Sequence, residues 1–380
     1  MSGPRSPHGS SSQANQSPTH LPVRNDWLNL QREAPLEPEH PVIDAHHHLY
    51  DRPGSQYLFD DYLADLGTGH NVRATVFLQA RAMLRAHGPE HLKPLGETEF
   101  ANGVAAMSAS GIYGATQVCA GIVGFADLTL GDGIRPVLER HISLAGGTTV
   151  SGGRFCGIRQ SLTWDPDATL TNPLYPTSEC QMDTTAFRAG FAHLAPLGLS
   201  FDAWVFFHQL RRLAVLARAF PETSIVVNHC GGFVGIKGYQ GRGDTVFQEW
   251  RQGILELAAC PNVMIKLSGL GMRLSGLTFE GQDRAPSSMA LAQAWRPWLE
   301  TCLTAFGAHR CMFGSNFPVD KGNHSYGVGL NALKRVLGTS TPADKANVLW
   351  RSAKTFYRLP IDCAAPLSSG MNADVSRSNG

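Results

Sequence analysis

The chain has almost no net charge: 32 Lys and Arg stand against 31 Asp and Glu over 380 residues, leaving +1. No basic footprint for nucleic acid or an anionic membrane surface results. Charged residues make up only 17% and hydrophobic ones 43%, too little charge for a disordered chain and enough apolar material for a large core. No apolar run approaches the roughly 18 residues of a spanning helix, and the first twenty residues carry no hydrophobic block. A standard secretion signal is thereby disfavoured, and a cytoplasmic location is expected. None of the eight cysteines forms a C-x-x-C pair, and several sit in apolar runs, which suits buried reduced thiols better than a disulfide framework or a zinc knuckle. No G-x-G-x-x-G or G-x-x-x-x-G-K-[ST] opens a helix after a strand, so no nucleotide cradle is expected. The partner expected is a small-molecule substrate, not nucleic acid or membrane, with a homo-oligomer left open.

What is present is an alternation. Residues 1–22 and 361–380 read as disordered low-complexity tails, and 23–40 as a lead-in. Across 41–360, eight short apolar or β-branched runs recur: 42–43, 74–78, 118–123, 155–158, 199–206, 224–227, 263–267 and 311–313. Their starts lie 25 to 48 residues apart, the reach of one strand and one crossover helix. Helical periodicity fills 99–110, 209–220, 245–259, 289–306 and 342–357. Eight such units predict an α/β fold, a single (β/α)8 barrel, although an open doubly wound sheet produces the same alternation.

Active sites of such folds lie at the carboxyl ends of the strands. Polar residues close these runs with regularity: His46, His47 and His48 after strand one, Gln79 after strand two and Arg159 in strand four. Strand five carries Asp202 and His208, strand six ends in Asn228 and His229, strand seven in Lys266 and Ser268, and strand eight in Asn316 with Asp320 beyond. On an extended strand His46 and His48 face one side and His47 the other, so two imidazoles can share one metal ion or one substrate. A solvated polar strand end is the competing reading of that pair. His229 precedes Gly231-Gly232, glycines that let a backbone approach a ligand closely. His208 is expected to share the inward face with Asp202, Trp204 and Phe206, yet a one-residue slip would turn it away. Lys266 and Arg159 are charges in apolar strands, where an unpaired charge costs several kcal/mol. An internal ion pair with Asp44 or Asp202 competes with binding an anionic group of the substrate. Trp164, Trp204, Phe206, Phe233 and Phe317 read as barrel packing before pocket wall.

Asp44-x-His46-x-His48, Ile-Val-Val-Asn-His229-Cys-Gly-Gly and Met-Phe-Gly-Ser-Asn316-Phe-Pro-Val, in that order, resemble the amidohydrolase superfamily. More narrowly they look like the amidohydrolase-2 branch, which holds 2-pyrone-4,6-dicarboxylate lactonase, L-fuconolactonase and metal-dependent decarboxylases. The likeness runs from about 41 to 358. It implies a TIM barrel and a single divalent metal, zinc first, on His46 and His48. His229 would touch metal or substrate, and His208 is a weaker candidate ligand. The family pattern has Gly-Ser-Asp-x-Pro where this chain has Gly-Ser-Asn316-Phe-Pro318. An amide can hydrogen-bond or ligate weakly but cannot accept a proton at neutral pH. A metal on neutral imidazoles alone is held less tightly, so a metal-independent site is the alternative. Arg159 stands where a binuclear centre would have its bridging lysine, which argues against two metals.

The catalytic set expected is therefore His46, His48, His229, Asn316 and Asp320. Asp320 is the first choice of base by proximity and His229 its rival; Asp202, Glu97 and Glu99 stand behind them, and Asp320 reads equally as a helix N-cap. Gln79, Arg159, Asp202, Lys266 and Ser268 are expected to bind substrate. The expected reaction is hydrolysis of a lactone or related cyclic ester of a small carboxylate-bearing or aromatic compound. A metal-dependent non-oxidative decarboxylase comes second, disfavoured by the missing aspartate. A ligand-binding barrel that has lost catalysis comes third, disfavoured by three imidazoles at one mouth.

Overall fold

The computed structural model describes residues 20–173 and 175–363, so the expected tails fall almost wholly outside it. Ile361 and Cys363, where the second tail was expected to begin, are buried. Eight strands form one parallel sheet in chain order: β1 (Val42–His47), β2 (Val72–Leu78), β3 (Gln117–Gly124), β4 (Phe155–Ser161), β5 (Ser200–Trp204), β6 (Ile225–Val227), β7 (Val263–Leu267) and β8 (Cys311–Phe313). The chain just past β8 closes the ring. Phe317 bridges His47 in parallel, Asn316 N donates to His46 O at 2.8 Å, and His48 N donates to Phe317 O at 2.8 Å. The closed barrel, not the open sheet, is the fold, and its closure falls on the two histidine- and asparagine-bearing segments.

A helix follows every strand: Phe59–Leu66, Leu95–Ala109, Arg135–Leu144, Thr185–Phe191, Leu210–Ala219, Gly243–Ala258, Ser288–Phe306 and Tyr326–Val336. Apolar faces of these helices and the outward side chains of the strands make one continuous core. A smaller core fills the barrel itself. Ile43, Ala45, Val76, Cys156, Val226 and Met312 meet Phe356 and Tyr357 from the last helix, Ser352–Tyr357, which closes the floor. The lead-in is fastened to the outside: Trp27 Nε1 donates to Gln282 O at 2.8 Å, and Asn331 Oδ1 accepts from Leu36 N at 2.8 Å.

The first strand does not keep simple alternation. Ile43 and Ala45 belong to the barrel interior, as do His46 and His48, whereas Asp44 and His47 turn outward. The break in parity coincides with a register irregularity between Asp44 and His47. Asp44 Oδ1 accepts from His46 N at 3.1 Å and Ser315 N at 2.8 Å, and its Oδ2 from Tyr62 and Tyr326. Such a bulge re-aims a side chain at a strand end. It delivers two consecutive inward positions and leaves the aspartate to tie the first and last strands together.

Candidate active site at the carboxyl end of the barrel

Glycines allow the histidines to sit where they do. A Cβ on Gly314 would lie 2.7 Å from His46 Cβ, and one on Gly269, whose φ is +73, would lie 2.5 Å from the His229 ring. The three inward imidazoles meet at the mouth, with ring centroids of His46 4.9 Å from His48 and 4.4 Å from His229. His47 lies behind them, stacked on Tyr62 at 4.2 Å and bonded to Thr75 Oγ1, and belongs to the scaffold.

Second partners set the proton positions. His48 Nδ1 donates to Leu78 O at 2.8 Å, so its Nε2 carries the lone pair. That nitrogen faces His46 Nε2 at 3.2 Å, and Arg159 Nη1 approaches the same His46 nitrogen at 3.2 Å. Lys266 Nζ stands 3.5 Å from His46 Nδ1. A neutral imidazole accepts at only one nitrogen, yet a cationic donor faces each side of His46. When Nε2 accepts from Arg159, two lone pairs oppose each other across 3.2 Å.

Burial holds the His46, His48 and His229 rings well below the ordinary imidazole range. The neighbouring cations add to this: Lys266 first at His46, and Arg159 first at His48 and His229. All three are neutral at pH 7. Arg159 is itself buried and forms no ion pair with a carboxylate among the described residues. Its Nη2 donates to Gln79 O, and its Nε has no partner. A desolvated cation with a spare donor at a strand end is a receptor for negative charge.

Beneath the mouth, the charges of the barrel interior neutralise one another. Lys266 Nζ meets Asp202 Oδ1 at 2.5 Å with both side chains fully buried. Asn228 Nδ2 and Tyr357 Oη also donate to that carboxylate. Burial lowers the Lys266 ammonium to about 8 while Asp202 opposes the change. Of the two readings of Lys266, the internal ion pair is the one formed, with Asp202 and not Asp44. Tyr357 gave no signal in the sequence, because it arrives from the last helix through the floor.

The other expected residues divide. Ser268 Oγ bonds His229 Nδ1 at 3.0 Å, and Gln79 Nε2 donates to Arg159 O at 3.3 Å; both orient a site residue. Asn316 lines the cleft with His48, His229 and Arg159, and its Oδ1 is buried without a partner. Asp320 Oδ1 accepts from Asn316 Nδ2 at 2.7 Å and its Oδ2 from Gly271 N, so the carboxylate serves these groups and no helix end. Burial pushes it up to about 7. His208 is not brought to the cluster: its Nε2 bonds Trp164 O at 2.8 Å beyond β5. Glu97 clamps the loop after β2, its Oε1 accepting from Ala80 N and Ala82 N. Glu99 is paired with Arg85. Trp204 and Phe206 wall the cleft, whereas Phe233 stacks on Trp298 and Phe317 packs on Tyr326. Tyr50, Arg52 and Tyr175 also line the cleft and were not foreseen.

Among the described residues no group of three or more His, Cys, Asp or Glu is gathered closely enough to hold a metal ion. The neutral donors nevertheless fit one. Two nitrogens on one tetrahedral zinc stand roughly 3.3 Å apart, close to the 3.2 Å between His46 and His48. The orphaned Asn316 Oδ1 is the acceptor a cation would satisfy. His46 and His48, with Asn316 beside them, are the residues that would hold a divalent ion, without a carboxylate among them.

Comparison with known proteins agrees with this architecture. The family model described as amidohydrolase matches residues 43–359. An uncharacterised protein of Sinorhizobium fredii is 32% identical over 340 residues, covering 84% of this chain and 98% of that protein. An L-fucono-1,5-lactonase of Burkholderia multivorans is 30% identical over 187 residues, 49% of this chain and 60% of the lactonase. A crystal structure of an amidohydrolase from Burkholderia multivorans with bound zinc superposes with a TM-score of 0.63 at 25% identity, covering 84% of this chain and 99% of that one.

Proposed function

This chain belongs to the amidohydrolase family, and from that premise we propose that it hydrolyses the ring ester of a small lactone by water attack. The carrying observation is Arg159: a buried guanidinium with no carboxylate partner among the described residues, 3.2 Å from a neutral imidazole and open to the cleft. Water attack on a lactone carbonyl develops an oxyanion, and a preorganised, desolvated donor stabilises that charge more than it stabilises the ground state. His229 is the proton acceptor in this reading. In the tautomer whose Nδ1–H donates to Ser268 Oγ, its Nε2 keeps a lone pair, and burial, with Arg159 and Lys266 adding to it, keeps the ring neutral. Asp320 is turned into Asn316 and Gly271 and is not placed to take the proton. Trp204 and Phe206 exclude bulk water and offer apolar walls to the ring. A divalent ion on His46 and His48 supplies, when bound, Lewis-acid polarisation of the ester carbonyl.

The similarity to an L-fucono-1,5-lactonase supports the lactone over other esters. A decarboxylase would draw on a firmly held metal, and the donor set here has no carboxylate. The test is a panel of aldono-1,4- and 1,5-lactones assayed with and without chelator, followed by elemental analysis. Turnover of at least one lactone, lost in Arg159→Met, is expected. Absence of turnover on all of them, with release of carbon dioxide from an aromatic acid, overturns the proposal.

A further inference from the structure

Beside the cleft lies a second cavity that no step of the proposed hydrolysis uses. Ser161 and Tyr175 line both, so the two spaces adjoin across these side chains. The side cavity, at about 440 Å³, is larger than the cleft, at about 80 Å³. A ligand seated at the histidines would reach the side cavity across Ser161 and Tyr175.

The side cavity is built and polar. Asp127 Oδ1 accepts from Thr129 N at 3.0 Å, Thr129 Oγ1 at 2.7 Å and Gln160 Nε2 at 3.2 Å. Gln160 is buried and held at its other end by Leu128 N at 3.0 Å. Asp127 Oδ2 makes no hydrogen bond among the described residues. Arg81 adopts a left-handed backbone with φ of +53, and its guanidinium stands 4.9 Å from the Phe125 ring and 5.5 Å from the Tyr175 ring. The lining thus offers a fixed carboxylate acceptor, a fixed amide, a cationic donor and two aromatic surfaces.

Three kinds of substituent could extend a lactone into this space. An anionic tail would meet the Asp127 carboxylate in the same lining as Arg81, so attraction to one is offset by repulsion from the other. An aliphatic tail would strip water from Asp127 and Gln160 and return no hydrogen bond. Hydroxyl groups donate to the carboxylate and accept from arginine, while the C–H face of a sugar ring packs on an aromatic side chain. We propose that this cavity is a second subsite for a neutral polyhydroxylated segment, so that the substrate is a lactone carrying a further sugar or polyol unit. The inference rests on the lactone reading for its reaction but not for its binding.

Full-length protein is assayed with glucono-1,5-lactone against the aldonolactones of maltose, cellobiose and lactose. At least one disaccharide lactone is expected to show kcat/KM about tenfold higher, carried by KM. Asp127→Ala, and Ser178→Trp, which fills the cavity from its exposed rim, are expected to bring both substrates to the same kcat/KM. Equal kcat/KM in the wild type, or a preference untouched by both variants, overturns the proposal. Calorimetric titration with the three disaccharides needs no turnover and separates the two readings. Saturable binding lost in Ser178→Trp supports the subsite even where no lactone is hydrolysed, and no binding together with no preference overturns it.

Discussion

Asn316 Nδ2 donates to Asp320 Oδ1 at 2.7 Å, and this one bond fixes which end of the amide faces the site. With the nitrogen engaged, Oδ1 turns away from Asp320 and remains without a partner in the cleft. The position where the family pattern has an aspartate thus presents an acceptor oxygen without its charge.

Asn316→Asp is expected to raise zinc content at purification and to tighten zinc binding at least tenfold, because a carboxylate joins two imidazoles. Asp320 would then face a second carboxylate, and one of the two would keep its proton. Elemental analysis and competition with a chromophoric chelator read the affinity directly. Equal zinc content in both proteins would mean that Asn316 does not face the metal position.

Much of this site could be read from the chain because its residues lie at strand ends in one order. His46, His48, Arg159, His229 and Asn316 needed only strand count and parity. Asp44 and His208 escaped for a physical reason each. A bulge at the histidine strand turned Asp44 outward, and period-two reasoning has no term for an inserted residue. β5 ends at Trp204, so the parity that put His208 inward no longer applied four residues later. The helix Tyr326–Val336 was also missed: its first turn carries two poor helix formers, Gly327 and Gly329, and Gly329 is there because a Cβ would run into the His324 ring. Tyr357 was beyond reach, since its partner Asp202 is 155 residues away.

Lys266 and Asp202 form a fully buried pair, so removing one partner leaves an uncompensated charge. Lys266→Met is expected to destabilise the fold by about 3–5 kcal/mol, and the double variant Lys266→Met with Asp202→Leu to recover most of that loss. Urea denaturation of the two single variants and the double one gives the coupling. Additive losses would show that the pair does not act as a unit.

Glu97 makes a pH prediction away from the histidines. Burial raises its carboxyl from an ordinary 4.5 to about 7, with the Ala80 and Ala82 amides opposing. Between those values the folded chain binds more protons than the unfolded one, so stability falls as pH rises through the window. The loss is on the order of 3 kcal/mol at full ionisation. Glu97→Gln keeps an acceptor for both amides and cannot ionise, so its stability is expected to fall less with rising pH between 5 and 8 than that of the wild type, the remaining slope belonging to other buried groups such as Asp320. A denaturation series showing the same slope in wild type and variant would count against this assignment.

His229 and His208 separate the cluster from its neighbourhood. His229→Ala is expected to lower kcat by about 10²–10⁴, the usual contribution of a positioned base. His208→Ala, which loses its bond to Trp164 O and ring contacts with Phe206 and Phe207 but no contact with the imidazole cluster, is expected to leave kcat near the wild-type value. Comparable losses in both would return His208 to the site.

Arg159 gives the sharpest test of how the cleft handles charge. The guanidinium contacts His46 Nε2 and the Gln79 carbonyl, so its loss affects both the oxyanion position and the loop after β2. If it acts on the transition state, Arg159→Met lowers kcat by about 10²–10³ with little change in KM, since the developing negative charge exists only there. If it binds a carboxylate already present on the substrate, KM rises instead and kcat is spared. Arg159→Lys keeps the charge but not the two-pronged geometry, so it is expected to rescue a KM defect better than a kcat defect. Measuring both constants for the two variants on one lactone distinguishes these roles, and unchanged constants in Arg159→Met would remove this residue from the mechanism.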